Sequence, residues 1–261
     1  MLRLRPLGEA DRIVILFSRE RGKIDAVARG ARRPRSKFGG RLDFFTRVNV
    51  MLHAGKSLDT ITSADTVRAI WEQLVDPDAF AAASYVAEVV DALCEPDMAV
   101  PELYEALCDF QIALAQTSDI TTLLAVMDLK MLAALGFSPE LDACARCGAV
   151  LGRRPLSGGR AWLSPQAGGL LCKACVRSVR EGSAGSSVDL LSTSAADFAR
   201  LRELRDAPLR SSVGGDWKTA SVARGAVLHR ITRAFVEHQM GRRSKVHAAA
   251  VTRSRPKAHT T

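Results

Sequence analysis

The sequence predicts a multi-domain α+β protein: a small N-terminal β-barrel, an α-helical domain, and a zinc-ribbon-like insertion of four cysteines within the helical part. Three observations predict it. Apolar residues recur in short, glycine-punctuated runs through the first 75 residues, often with period two. From Asp76 the spacing becomes helical, and the pairs CARC (144–147) and CKAC (172–175) then interrupt it. The expected division is a barrel over 1–75, the helical domain's first part over 76–142, a zinc-binding insertion over 143–180, its second part over 181–246, and a disordered basic tail over 247–261.

The elements follow in order. RIVILFS (12–18) is an apolar run of strand length, and KIDAVA (23–28) follows a turn at Gly22. RVNVML (47–52) alternates, and SLDTITSADTV (57–67) follows the turn HAGK. Several short strands of this kind favour a small barrel or sandwich. Asp76 and Pro77 form a cap and first-turn pair for an alanine-rich helix. A second helix is expected from Pro101, and a third from near Ser118 to Gly136, with Leu124, Met127, Met131 and Leu135 as its core stripe. After the cysteine pairs, the Gly/Ser stretch 180–189 reads as a linker. Residues 193–206 and 218–240 return to helix, with Ala223, Val227, Ile231 and Phe235 recurring every fourth position.

Charge is distributed in blocks. The net charge is +9 over 261 residues. Residues 1–41 carry 12 Lys/Arg against 4 Asp/Glu, whereas 76–142 carry Lys130 alone against 13 acidic residues. Residues 199–261 carry 14 basic against 4 acidic. Such asymmetry separates a module able to meet a polyanion from one that is not. Aromatic residues are 5% of the chain, so an extended base-stacking platform is not indicated. The opening MLRLRPLGEADR lacks the apolar core of a secretory signal, and no run of about 18 apolar residues suggests a membrane span. The six cysteines then fit a reducing cytoplasm, where Cys pairs more often bind metal than form disulfides.

The strongest chemical motif is C-x2-C, twenty-four residues, C-x2-C. Cys144, Cys147, Cys172 and Cys175 could place four thiolates around one Zn²⁺, leaving no position for activated water, so the metal would be structural. The alternative is four unrelated cysteines. RAWLSPQAGGLLC within the intervening stretch reads as strand, glycine turn and strand. Cys94 and Cys108 are isolated and read as small buried apolar residues. The histidines are scattered. No G-x-S-x-G, P-loop or G-x-G-x-x-G entering a helix is present, and the acidic run 88–109 reads as a solvated face, so an enzyme is not indicated.

The segment VARGARRPRSKFGGRL (27–42) holds six basic residues, no acidic one, three glycines and a proline. It is either a solvated loop or a grip on phosphate, for which arginine's planar fork and glycine's close approach are suited. If Arg12, Arg19, Arg21 and Lys23 share its face, the patch extends into a stripe along a nucleic-acid backbone.

The stretch from LRPLGEADRIV through RERGKI to ARGARRPRSKFGGRLDFF resembles the opening of the RecO family of bacterial recombination mediators. The order of barrel, acidic helices, four-cysteine insertion and basic helices is similar as well. The family usually begins with a further short strand before this point, so the resemblance implies either a misassigned start or a clipped first strand, which would expose a sheet edge. It also implies an OB-fold followed by a helical domain carrying a zinc-binding insert with one structural Zn²⁺ per chain. It implies binding of single- and double-stranded DNA, strand annealing, and work with RecR in loading RecA onto strands coated by the single-strand-binding protein SSB. By position, Arg12, Arg29, Arg32, Arg33, Arg35 and Lys37 would be the DNA contacts. The acidic C-terminal tail of SSB would meet the helical domain, and Arg224 and Arg233 are chosen for it by charge and position. RecA is then an indirect partner and RecF an open one; no membrane is involved, and the place of action is the cytoplasm, at the nucleoid. The rival readings are a zinc-ribbon transcription or RNA-binding factor, and a nuclease.

Overall fold

The computed structural model describes residues 1–150, 159–182, 189–209 and 222–246. The tail expected over 247–261, and most of the linker expected over 180–189, lie outside these residues. The chain divides into two compact units. One comprises Met1–Ala115 with the described residues from Ser244 onward; the other comprises Gln116–Arg243. Among the described residues no helix is long and apolar enough to cross a membrane.

The first unit is built on a five-stranded sheet. Its strands are β1 (Arg3–Leu7), β2 (Asp11–Ser18), β3 (Gly22–Ala28), β4 (Arg47–His53) and β5 (Asp59–Arg68), in the order β1-β2-β3-β5-β4. All neighbours are antiparallel except β3 and β5. Val14, Leu16, Ile24, Ala26, Ala28, Ile61 and Ala64 fill its core together with Phe38 and Leu42. Ile15 and Phe17, on the other face of β2, are buried too, which is why that run shows no alternation. The sheet is OB-like but does not close as a barrel. Residues just before its two edge strands meet, where the Phe45 N–H donates to the Met1 carbonyl and the Met1 amine donates to the Thr46 carbonyl. The sequence pattern did not mark β1, which pairs with β2 along its whole length.

Helices α1 (Pro77–Leu93) and α2 (Pro101–Leu114) complete this unit. The Asp76 carboxylate caps α1 by accepting the Asp78 N–H, as expected of the Asp-Pro start. α1 is so rich in alanine that it is buried on most of its circumference. Gly22 adopts φ +66°, and a side chain there would collide with the Met98 carbonyl beyond α1. Phe45 stacks edge-on to Phe110 of α2 at 6.0 Å, and the Gln111 amide donates to the Phe45 carbonyl at 2.8 Å.

The second unit packs α3 (Ile120–Ala134) against α6 (Val222–Met240). Asp119, one residue beyond the Ser118 expected from sequence, caps α3. Leu124, Met127 and Met131 of the expected stripe are buried and Leu135, the C-cap, is partly so; Leu123, Val126 and Leu129 are buried as well, so α3 is a core helix rather than a one-faced amphipathic one. Gly225 lets α6 approach closely, since a Cβ there would strike the hydroxyls of Thr121 and Thr122. A three-stranded antiparallel sheet, β7-β6-β8, comprises β6 (Arg160–Ser164), β7 (Gly169–Leu170) and β8 (Leu191–Ser194). β6 and β7 are the strand–turn–strand foreseen in RAWLSPQAGGLLC; β8 was not foreseen. Helices α4 (Lys173–Gly182) and α5 (Ala195–Asp206) complete the unit.

Candidate nucleic-acid interface and metal centre

The basic loop has a fixed form without belonging to any strand or helix. The Gly30 N–H donates to Asp11 Oδ1 at 2.7 Å, and the Arg32 N–H donates to the Ala10 carbonyl at 2.9 Å. These bonds stitch the loop to the β1–β2 turn. Four turn bonds follow: Arg33 to Gly30, Ser36 to Arg33, Gly39 to Ser36 and Arg41 to Phe38, each from N–H to carbonyl. Phe38 (1% exposed) and Leu42 (4%) insert into the sheet core and pin the far end. With backbone and apolar side chains facing inward, Arg29, Arg32, Arg33, Arg35, Lys37 and Arg41 are all exposed.

The partners of these cations matter more than their number. The Arg32 side chain donates to the Gly8 carbonyl, that of Lys37 to the Thr62 carbonyl, and that of Arg41 to the Lys37 carbonyl. Among the described residues Arg29, Arg33 and Arg35 have no ion pair. The loop's positive charge is therefore not neutralised internally. Arg12 is half-buried at the start of β2, beside the turn that holds the loop.

The hairpin cations, which would extend the patch into a stripe if they shared its face, behave differently from those of the loop. Arg21 meets Asp59 at 2.7 Å and Asp97 at 2.6 Å, and Arg19 meets Glu105 at 3.4 Å. Lys23 reaches the Asp91 carbonyl at 2.7 Å and its carboxylate at 3.7 Å. Hydrogen bonding from Arg21 holds the Asp59 carboxyl below its usual range. The acidic residues around α1 and α2 thus neutralise the hairpin, while the loop stays bare. A close reading of the charge blocks could have paired these segments, but which acid meets which base depends on the fold.

The four cysteines come together in the second unit, with their sulfurs within 4.8 Å of one another. Cys147 Sγ and Cys172 Sγ are 3.8 Å apart, and a tetrahedron with Zn–S bonds of about 2.3 Å has edges of about 3.8 Å. The first knuckle closes through Gly148 at φ +71°, whose N–H donates to the Cys144 carbonyl at 2.8 Å. Backbone N–H groups aim at the sulfurs, from Cys172 to Cys144 and from Cys175 to Cys172. Burial opposes ionisation of Cys144, but N–H groups of Cys172, Cys147 and Arg146 outweigh it and bring the thiol down to about 6. Burial, followed by bonds from the other three sulfurs, pushes Cys175 up to about 12. Four sulfurs this close cannot all carry charge unaided, and a divalent cation is what such a donor set fits. Zinc held there would serve as a cross-link joining the two knuckles.

Cys94 and Cys108 are buried and far from these four in sequence, as expected of small core residues. Arg224 and Arg233 do not converge. Nine residues apart on α6, they project from opposite sides of the helix. Arg224 pairs with Asp197 at 3.3 Å and Arg233 with Glu237 at 2.8 Å.

Comparison with known proteins gives a consistent picture. A family model described as "Recombination protein O N terminal" matches residues 1–70, and one described as "Recombination protein O C terminal" matches residues 74–247. The chain is 34% identical over 245 residues to the DNA repair protein RecO of Anaeromyxobacter sp. (strain K), covering 93% of this chain and 90% of that protein. It is 37% identical over 178 residues to the DNA repair protein RecO of Nocardioides sp., covering 67% of this chain and 71% of that one. The protein of the same name in Desulfitobacterium hafniense (strain DSM 10664 / DCB-2) is 37% identical over 175 residues, which span 62% of its length.

Proposed function

This chain belongs to the recombination protein O (RecO) family of DNA repair proteins, and from that premise we propose that it acts as a binding mediator rather than as an enzyme. It binds single- and double-stranded DNA through Arg12, Arg29, Arg32, Arg33, Arg35 and Lys37, and it anneals complementary strands. With RecR it helps load RecA onto strands coated by SSB, RecF being a further candidate partner, and it does so in the cytoplasm at the nucleoid.

The observation that supports this reading best is the contrast between the two sets of cations. The loop is held by backbone bonds and by Phe38 and Leu42, which leaves its guanidiniums uncompensated, whereas Arg19, Arg21 and Lys23 already meet carboxylates. Phosphate oxygens would take the place of water on the loop arginines and release condensed counterions. The loop is neither a helix nor a strand that would enter a groove to read base edges, so the grip is read as one on the backbone. Cations that neutralise phosphates lower the repulsion between two strands and let pairing proceed. The four cysteines would hold one structural Zn²⁺ in the helical domain's insertion, read as 143–180 between flanking parts 76–142 and 181–246, with the DNA-binding module read as 1–75. To meet the acidic tail of SSB, Arg224 and Arg233 would have to exchange their present carboxylate partners.

The test mixes the purified chain with two complementary oligonucleotides, with and without SSB, and follows duplex formation and strand integrity. Annealing of intact strands is expected. Cleaved strands would indicate an enzyme, preference for RNA of the same sequence would favour a zinc-ribbon transcription or RNA-binding factor, and no annealing at low salt would overturn the reading.

A further inference from the structure

We infer that the exposed face of α4, together with Arg146 of the first cysteine knuckle, forms a second phosphate-backbone site, carried by the second compact unit and additional to the loop of the first. This rests on the DNA-binding reading above and extends it: one chain would hold two separate backbone grips.

Lys173, Arg177 and Arg180 fall at helical positions i, i+4 and i+7, so they share one face of α4. That face lies opposite Cys175, and all three side chains are exposed, while Val176 is buried against Cys144 and Leu171. Arg146 is exposed and reaches the same helix, its Nη1 donating to Ser178 Oγ at 3.4 Å. The Arg180 guanidinium lies 4.2 Å above the Trp162 ring, which orients it and leaves its N–H edge free to donate in plane. Lys173 and Arg177 stand one turn apart, about 6 Å along the axis, a step that neighbouring phosphates of one strand can span.

Five arginines elsewhere in the unit supply the contrast. Arg200 pairs with Glu203, Arg202 and Arg205 with Asp142, Arg224 with Asp197, and Arg233 with Glu237. Among the described residues Arg146, Lys173 and Arg177 have no carboxylate partner. The described residues of 143–182 hold five Lys/Arg against Glu181 alone. A Zn²⁺ with four thiolates carries two net negative charges, so screening of the metal centre could use part of this excess but not all of it. The remainder suits a polyanion.

The test measures fluorescence anisotropy of a labelled oligothymidine with the full chain over a range of salt, alongside zinc content. The variant Arg146→Ala/Lys173→Ala/Arg177→Ala is expected to keep its zinc and to lower the slope of log affinity against log salt by about 2, roughly 0.7 per lost contact. Arg177→Lys should keep the wild-type slope. Annealing by the triple variant should slow at least about tenfold, because one of two grips is gone. An unchanged slope in a triple variant that keeps its zinc overturns the inference, since the cations would then serve only solubility or the thiolates. Should the triple variant lose its zinc, Arg177→Glu alone decides: a slope equal to wild type overturns the site. If the wild-type chain itself shows no salt-dependent binding, the DNA reading fails as a whole, a result distinct from failure of this face alone.

Discussion

Asp11 and Gly30, nineteen residues apart, are joined by a 2.7 Å hydrogen bond from the Gly30 amide to the Asp11 carboxylate. Gly30 sits at φ +70°, a conformation that disfavours a side chain, so the loop turns there and its amide is presented to the carboxylate. This bond fixes the point at which β3 gives way to the basic loop. An acidic residue at the base of a cationic loop is easily misread as a charge defect. Here it sets where the arginines begin.

Removing that carboxylate tests whether loop order contributes to binding. Asp11→Ala should cost about 1–3 kcal/mol of stability, since it strands a part-buried amide, and should weaken DNA binding although every cation remains. Asp11→Asn should retain most of both. Urea denaturation and DNA titration together check this, and an Asp11→Ala protein with wild-type affinity would show that loop order is unimportant.

The paired and unpaired cations should separate in salt titrations. Replacing Arg32, Arg33 and Arg35 with Ala should lower the slope of log affinity against log salt for single strands by about 2. Arg21→Ala should leave the slope unchanged, because Asp59 and Asp97 already neutralise that guanidinium. Equal effects from the two variants would dissolve the distinction on which the DNA interface rests.

Metal content is the direct test of the cysteine cluster. Purified protein should carry about one zinc per chain, and Cys172→Ser/Cys175→Ser should lose it and unfold at lower temperature. Full zinc retention in the double variant, measured by metal analysis, would refute the assignment.

A buried histidine gives the second unit a pH dependence of known sign. Burial, with Arg233 adding to it, pushes His229 down to about 3, and this prevails over Asp128 at 3.6 Å. Thr232 donates to the same Asp128 oxygen at 2.6 Å. An unfolded chain titrates His229 near pH 6.5, so between about 6.5 and 3 the unfolded state binds more protons. His229 should therefore cost stability as pH falls through that window, about 2 kcal/mol between pH 7 and 5. Thermal midpoints across that range should flatten in His229→Gln; parallel curves for the two proteins would exclude His229 as the source.

Much of the architecture was legible because the signals were local. Asp76–Pro77 marks the start of α1, alternation marks β4, and the glycine turn HAGK marks the approach to β5. β1 escaped notice because Arg3 and Arg5 make a short edge strand look like a polar lead-in, and only its pairing with β2 reveals it. β8 escaped for a similar reason: LSTS is too short and polar to stand out until β6 lies beside it. Whether Arg19, Arg21 and Lys23 could extend the loop's positive charge was not legible in the sequence, since charges distant in sequence cancel when Glu105, Asp97 and Asp91 arrive beside them.

By itself, the sequence determined the composition of each site: six cations in one loop, four cysteines in two knuckles, and an acidic stretch between them. Those follow from residue type and short-range spacing, which any conformation of the chain retains. Only the tertiary structure decided which cations remain uncompensated. That depends on contacts across dozens of residues, where a carboxylate a few ångströms from Arg21 cancels its field, and where Phe38 and Leu42, buried in the sheet core, hold Arg33 and Arg35 out in solvent.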